Sequence, residues 1–190
     1  MIIAMAGLPG TGKSMLSRAL ADSCLGVVLD KDAIRGVLFP PAYLEYSREQ
    51  DDFCQAVMLR TAEYLLMHHP GLRVFLDGRP FSRRYQINDV IETADRLKTP
   101  WRVIECVCSE ETAKQRLADE GPQLSHLARN RSYELYRTIQ ARFEPILVPK
   151  LIISTDDPLE RCIAAAKMYV DSSGQGEGTR GWSTTGCPCL

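Results

Sequence analysis

Residues Gly7 to Ser14 read G-L-P-G-T-G-K-S, and this octapeptide constrains the fold more than any other stretch of the 190-residue chain. Its spacing is G-x-x-x-x-G-K-[ST], which has a mechanical meaning. Glycines at 7, 10 and 12 let the backbone turn tightly, so that successive N–H groups point inward at phosphate oxygens. Lys13 is placed to bridge β- and γ-phosphates, and the Ser14 hydroxyl to ligate Mg²⁺. The flanks agree with this reading. Ile2 to Ala6 is a short apolar run suited to a buried strand, and Met15 to Ala21 continues with helical periodicity. Strand, loop and helix in that order set the positive end of the helix dipole against the phosphates. The nucleotide-binding segment is therefore expected to comprise Gly7, Leu8, Pro9, Gly10, Thr11, Gly12, Lys13, Ser14 and Met15.

Composition narrows the class. A chain of this length suits one domain with a real core, and 45% hydrophobic with 25% charged residues is ordinary for a globular soluble protein. The net charge of -1 opposes a strongly basic nucleic-acid surface, although a local groove is compatible with it. No apolar run approaches the roughly 20 residues that span a bilayer. The first strand is too short for a signal peptide, so a cytoplasmic protein without membrane contact is expected. Seven cysteines, an odd number with five of them in or beside predicted helices and strands, suit reduced thiols better than a disulfide framework.

Strand and helix signals alternate along the chain. Strands are expected at Gly26 to Leu29, Arg73 to Leu76, Arg102 to Val107 and Leu151 to Ile153, besides the first. Helices are expected from Asp32, over Glu49 to His68, Arg83 to Leu97, Glu110 to Ala118, Asn130 to Arg142 and Pro158 to Val170. This rhythm predicts an α/β fold, a five-stranded parallel sheet with helices on both faces. The acidic strand ends, Asp30 and Asp77, then fall at the carboxyl edge where such sheets bind ligands. The kinase-like unit spans 1–170. The tail 171–190 is rich in Gly, Ser and Thr and nearly devoid of apolar residues, which predicts disorder.

Two carboxylate-bearing blocks could carry chemistry. L-D-K-D-A-I-R places Asp30 at the end of the second strand and Asp32 and Arg35 three apart, on one helix face. A carboxylate beside the γ-phosphate can take the proton of an attacking hydroxyl, and Arg35 could hold the acceptor. The plainer alternative is a helix cap with an exposed ion pair. In V-F-L-D-G-R-P-F-S-R-R, Asp77 ends a buried strand beside the phosphate loop, within reach of the Mg²⁺ water shell or of the acceptor hydroxyl. Tyr43 and Tyr46 could stack on a ring or pack on the helix behind them.

G-L-P-G-T-G-K-S, D-K-D-A-I-R and V-F-L-D-G-R-P-F-S-R-R together resemble the small phosphate-loop kinases grouped around polynucleotide kinase. Adenylylsulfate kinase, chloramphenicol phosphotransferase and zeta-toxin-like kinases are near relatives among these AAA-type ATP-binding proteins. Element order carries the resemblance over Met1 to Ser154, with three short blocks matching in sequence. It implies a three-layer α/β/α P-loop NTPase of the nucleoside-kinase-like kind, using ATP and Mg²⁺. The family's D-x-x-R falls on Asp32 and Arg35, making Asp32 the general base, with Asp30 next in line or near the metal. It sets Asp77 in the acceptor pocket, and Arg79 in the same block is assigned to the acceptor as well. A lid at about 119–131 would close over the γ-phosphate. Arg116 falls on the first lid-region arginine, though an adenine-stacking or surface role is equally open. The second lid arginine would fall on Glu120, a departure, so either Arg129 or Arg131 supplies the cation or charge stabilisation is weaker than in that family.

Three functions follow. The first is transfer of a γ-phosphate to a hydroxyl of a small molecule. The second is a 5′-hydroxyl kinase acting on a nucleic-acid end, which the near-neutral charge disfavours. The third is a regulatory ATP-binding protein without an acceptor. No N-K-x-D follows a strand, as a guanine-specific switch would need, and the third strand ends Asp77-Gly78 rather than in the paired acids of an ATPase motor.

Overall fold

The computed structural model describes residues 1–119 and 132–172. Its centre is a five-stranded parallel sheet. The strands are β1 (Ile2–Ala6), β2 (Gly26–Asp30), β3 (Arg73–Asp77), β4 (Trp101–Val107) and β5 (Leu151–Ser154), in the order β2-β3-β1-β4-β5. Seven α-helices accompany them among the described residues: α1 (Lys13–Asp22), α2 (Lys31–Leu38), α3 (Arg48–His68), α4 (Arg84–Arg96), α5 (Glu110–Asp119), α6 (Tyr133–Ala141) and α7 (Leu159–Asp171).

β1 is buried along its whole length, so both of its faces need a cover. Alternation supplies two sets of side chains. Ile2, Ala4 and Ala6 join Val74 and Leu76 against Met58 and Ala62 of α3 and Ile87 and Val90 of α4. Ile3 and Met5 join Phe75, Ile104 and Cys106 against Leu16 and Leu20 of α1 and Ala166 and Val170 of α7. The chain thus leaves β1 on one face and β3 on the other, opening a crevice at the carboxyl ends of these neighbouring strands. The third cluster is small, holding Ala113 and Leu117 of α5 with Tyr136 of α6, and Leu8 of the phosphate loop packs against it.

Local signals set the helix starts. Asp30 caps α2, its Oδ1 accepting from Asp32 N at 2.8 Å and Ala33 N at 3.3 Å. Ser47 caps α3 and Ser132 caps α6. α2 starts one residue before the expected Asp32, because the capping aspartate is the strand end itself. His68, at the last turn of α3, stacks on Tyr64 with ring centroids 4.2 Å apart. α7 runs to Asp171, where Arg73 pairs with its carboxylate at 2.6 Å, and Arg102 donates to Ser172 O at 2.8 Å. Residues 173–190 lie outside the described residues. No described helix is long and apolar enough to cross a membrane.

Candidate functional site

The loop between β1 and α1 has the backbone its glycines were needed for. Gly7, Gly10 and Gly12 have φ of 128°, 77° and 75°, a region that L side chains rarely adopt. Space is as restrictive as torsion. A Cβ on Gly7 would lie 2.2 Å from Cys106 O of β4, so any side chain there collides with backbone. The turn is therefore a cradle tied to the sheet. Gly7 N donates to Pro80 O at 3.1 Å, linking it to the loop after β3. Lys13 is buried in the first turn of α1 and donates from Nζ to Leu8 O at 2.7 Å, across the loop. Cys106, beneath the cradle, is a sealed thiol, which burial pushes up to about 12.

Two clefts flank this loop. The first, about 110 Å³, is lined on the loop side by Pro9 and Lys13, opposite by Lys31, Asp32 and Arg35 of α2, and further out by Tyr46 and Asp51. Gly78 and Pro80 after β3 and Leu135, Ile139 and Arg142 around α6 complete it. The second, about 370 Å³, lies beyond Gly12 and Met15, between Arg116 and the segment Thr155 to Cys162. Lys13 faces the first cleft and Met15 the second, so the loop lies between two spaces.

The charges of the first cleft form a closed ring. Asp32 Oδ1 takes Lys31 Nζ at 3.0 Å and Arg35 Nη1 at 2.9 Å. Asp51 Oδ1, from the first turn of α3, takes Lys31 Nζ at 2.6 Å and also Arg35 Nη2. The Tyr46 ring covers the Arg35 guanidinium, its centroid 4.9 Å from Cζ. Burial drives the Lys31 ammonium below the ordinary lysine range; Asp32 opposes that shift and Arg35 reinforces it. Asp32 and Arg35 share a face as their spacing predicts, in a pair that is buried rather than solvated. Lys31 and Asp51 were missed. Lys31 stands between two aspartates in the sequence, a faint signal, whereas nothing local marks Asp51.

The remaining predicted residues separate into groups. Asp30 Oδ1 is occupied by the α2 cap, and its Oδ2 lies 3.7 Å from Arg18. Asp77 is Asp30's register partner at the end of the next strand. It is fully buried, and neither carboxylate oxygen has a hydrogen-bond partner among the described residues. A buried carboxylate without such partners is costly by itself and suits a ligand that brings positive charge. Ser14 lies half-buried in the first turn of α1. Arg79 is buried away from both clefts. It donates to Asp51 O at 2.9 Å and pairs with Asp52, bracing the start of α3. Arg116 is on the second cleft, donating to Thr155 Oγ1 at 2.9 Å, Thr155 O at 2.8 Å and Gly10 O at 3.3 Å. Thr155 in turn donates to Thr11 O at 3.1 Å. Arg129, Arg131 and the lid at about 119–131, apart from Asp119 at the end of α5, lie outside the described residues.

Magnesium and a polyphosphate fit these residues. The cradle leaves no room for a Cβ at Gly7, and Asp77 presents a buried, unsatisfied carboxylate next to it. Among the described residues no group of three or more His, Cys, Asp or Glu could hold a metal ion by itself. A magnesium ion here would thus complete its shell with phosphate and water.

No curated protein matches this sequence significantly. Solved structures do share the fold. The Mycobacterium tuberculosis APS kinase in complex with AMPPNP and APS superposes with a TM-score of 0.67 at 16% identity, over 90% of this chain and 97% of that one. A gluconokinase from Sinorhizobium meliloti gives 0.61 at 16% identity over 90% and 96%. Chaetomium thermophilum Kti12 in complex with ADP-AlF3 gives 0.64 at 17% identity over 92% and 100%. The α/β fold is thus that of the small P-loop kinases, as the three sequence blocks suggested. The model of the AAA domain matches residues 2–146, from the first strand past α6, and the chain belongs to that family.

Proposed function

We propose that this protein is an ATP- and magnesium-dependent phosphotransferase that moves the γ-phosphate to a hydroxyl of a small-molecule acceptor, with Asp32 as general base. The observation that carries this reading is the shared cleft: Lys13 of the phosphate loop and Asp32 of α2 line one space. Phosphoryl transfer is mainly positioning and charge stabilisation, and this arrangement provides both at one point. The backbone from Gly7 to Met15 would hold the phosphates, with Lys13 swinging from Leu8 O to the β- and γ-oxygens. Ser14 and Asp77 would hold magnesium, Asp77 partly through water, and the ion would supply positive charge to neutralise the phosphates. The base would occupy the second cleft against Arg116.

Asp32 removes the acceptor's proton as the acceptor oxygen bonds to the γ-phosphorus. The bond from that phosphorus to the β,γ-bridging oxygen breaks, leaving ADP. Two cations on Asp32 Oδ1 hold the carboxylate in a fixed direction. Asp30 is less suited, because it does not line the cleft that Lys13 and Asp32 share. Arg35 is held between two carboxylates, which supports a small acceptor over a polynucleotide end, whose phosphates would need an available guanidinium. Incubation with γ-labelled ATP and a panel of sugars, nucleosides, antibiotics and 5′-hydroxyl oligonucleotides tests this. Label should pass to a small acceptor. ATP consumption indifferent to every acceptor would instead favour a regulatory ATP-binding protein.

A further inference from the structure

The ring of four charges bears on which acceptor can enter, and this inference rests on the phosphotransferase reading above. Lys31 and Arg35 are two cations; Asp32 and Asp51 are two carboxylates, and each carboxylate touches both cations. The group is neutral as a whole. Its members are not equally deep. The side chains of Lys31, Asp32 and Arg35 are 6%, 6% and 2% exposed, while that of Asp51 is 26% exposed. Asp51 therefore forms the open side of the ring and stands between the two cations and anything entering the cleft. It comes from α3, a different element from the one carrying the D-x-x-R pattern, and Arg79 fixes its backbone carbonyl at 2.9 Å.

We propose that Asp51 is a specificity residue that acts as a built-in anion, so that the cleft takes an uncharged polyol and rejects anionic acceptors. An acceptor carboxylate or phosphate could reach Lys31 and Arg35 only by displacing Asp51 from both, and would meet its negative charge first. A neutral hydroxyl compound meets carboxylate oxygens that accept its O–H groups. The Tyr46 ring, Leu135 and Ile139 line the same space and suit the C–H face of such a molecule. Arg142 is the one further cation lining the cleft among the described residues besides Lys13, and it is exposed. It offers an anion a solvent-screened contact of small worth.

The test compares related neutral and anionic acceptors: glucose with gluconate, glycerol with glycerate, and ribose with ribose 5-phosphate. Transfer from labelled ATP gives kcat/KM for each pair, and calorimetry gives MgATP affinity separately. The wild-type protein is expected to favour the neutral member of its best pair at least tenfold. Asp51→Asn should move that ratio at least tenfold toward the anion, with MgATP affinity unchanged. Asp51→Ser should shift the ratio in the same direction where Asp51→Asn fails to fold, and the charge-balanced Lys31→Gln/Asp51→Asn variant, which leaves the Asp32–Arg35 pair, should return it toward the neutral member. Arg142→Gln should shift it less than threefold. A wild-type preference for the anion, or a ratio that no folded single variant at Asp51 moves from the wild-type value, overturns the role of Asp51 and leaves the kinase reading standing. Bound MgATP with no transfer to any member of any pair overturns both.

Discussion

The two sides of the phosphate loop solve one problem in different ways. Both need backbone in the left-handed region. In the loop itself three glycines within six residues, Gly7, Gly10 and Gly12, take it without a Cβ to strain. Toward the first cleft Gly78 does the same at φ 83°, but Tyr46 and Phe81 adopt φ of 52° and 53° with full side chains. Each such residue costs on the order of 1–2 kcal/mol, so surrounding packing has to hold it. Phe81 is buried in the core between β3 and α4, and the Tyr46 ring lies on Arg35. The cradle is thus a local object, written in consecutive residues, and the first cleft is a product of the tertiary fold. A cradle for a common polyphosphate can be reused unchanged, whereas a cleft that selects an acceptor must be assembled from parts that vary independently.

The most drastic way to break the comparison is to remove the cradle's cation. Lys13→Ala should reduce transfer by about 10³ or more, since charge stabilisation on the transferring group carries most of the rate. Acceptor binding, measured by calorimetry, should persist. If transfer survives, the two sides are not joined through Lys13. On the other side Asp32→Asn should cut turnover at least about a hundredfold while MgATP binds normally. Near-normal turnover would pass the base to another carboxylate, with Asp30 next.

Asp77, between the two sides, gives a sharper test because function and stability should move in opposite directions. Asp77→Asn removes a buried charge lacking hydrogen-bond partners and is expected to stabilise the nucleotide-free protein by about 1–3 kcal/mol. That is several degrees in Tm for a protein of this size. The extra stabilisation that magnesium adds to ATP should disappear. A lower Tm, with magnesium dependence intact, would make Asp77 structural. Thr155→Val should be milder: it removes hydrogen bonds joining Arg116 and Thr11 and should raise KM for ATP several-fold with little change in the acceptor's KM. The smallest effect is expected from ending the chain after Ser172, which keeps the Arg102 and Arg73 contacts with the end of α7. Tm and activity should be unchanged, and a fall of several degrees would show that residues 173–190 dock on the domain.

Much of the fold was legible because its signals are local. Strands of five to seven residues ending at Asp30, Asp77 and Val107 were legible from the short apolar stretches V-V-L, V-F-L and V-I within them, and their ends mark the carboxyl edge. Asp32 and Arg35 were legible as a pair through helix spacing, but not as a buried one. Their depth depends on α3 and Tyr46 covering α2, and no residue in D-K-D-A-I-R encodes that. Arg79 was read toward the acceptor because it follows Asp77 and Gly78. Its side chain turns to α3 because the Asp51 carbonyl and the Asp52 carboxylate give a buried guanidinium the partners it requires.

The sequence by itself determined the cradle, the alternation of strands and helices along the chain and the residues that can bear charge, since these rest on torsional freedom and periodicity within a few residues. Only the tertiary structure decided which charges meet. Asp51 and Lys31 are twenty positions apart and share an oxygen contact of 2.6 Å because α3 packs back over α2. Coulomb attraction falls with distance and strengthens as water is excluded, so folding alone sets the pairings inside the cleft.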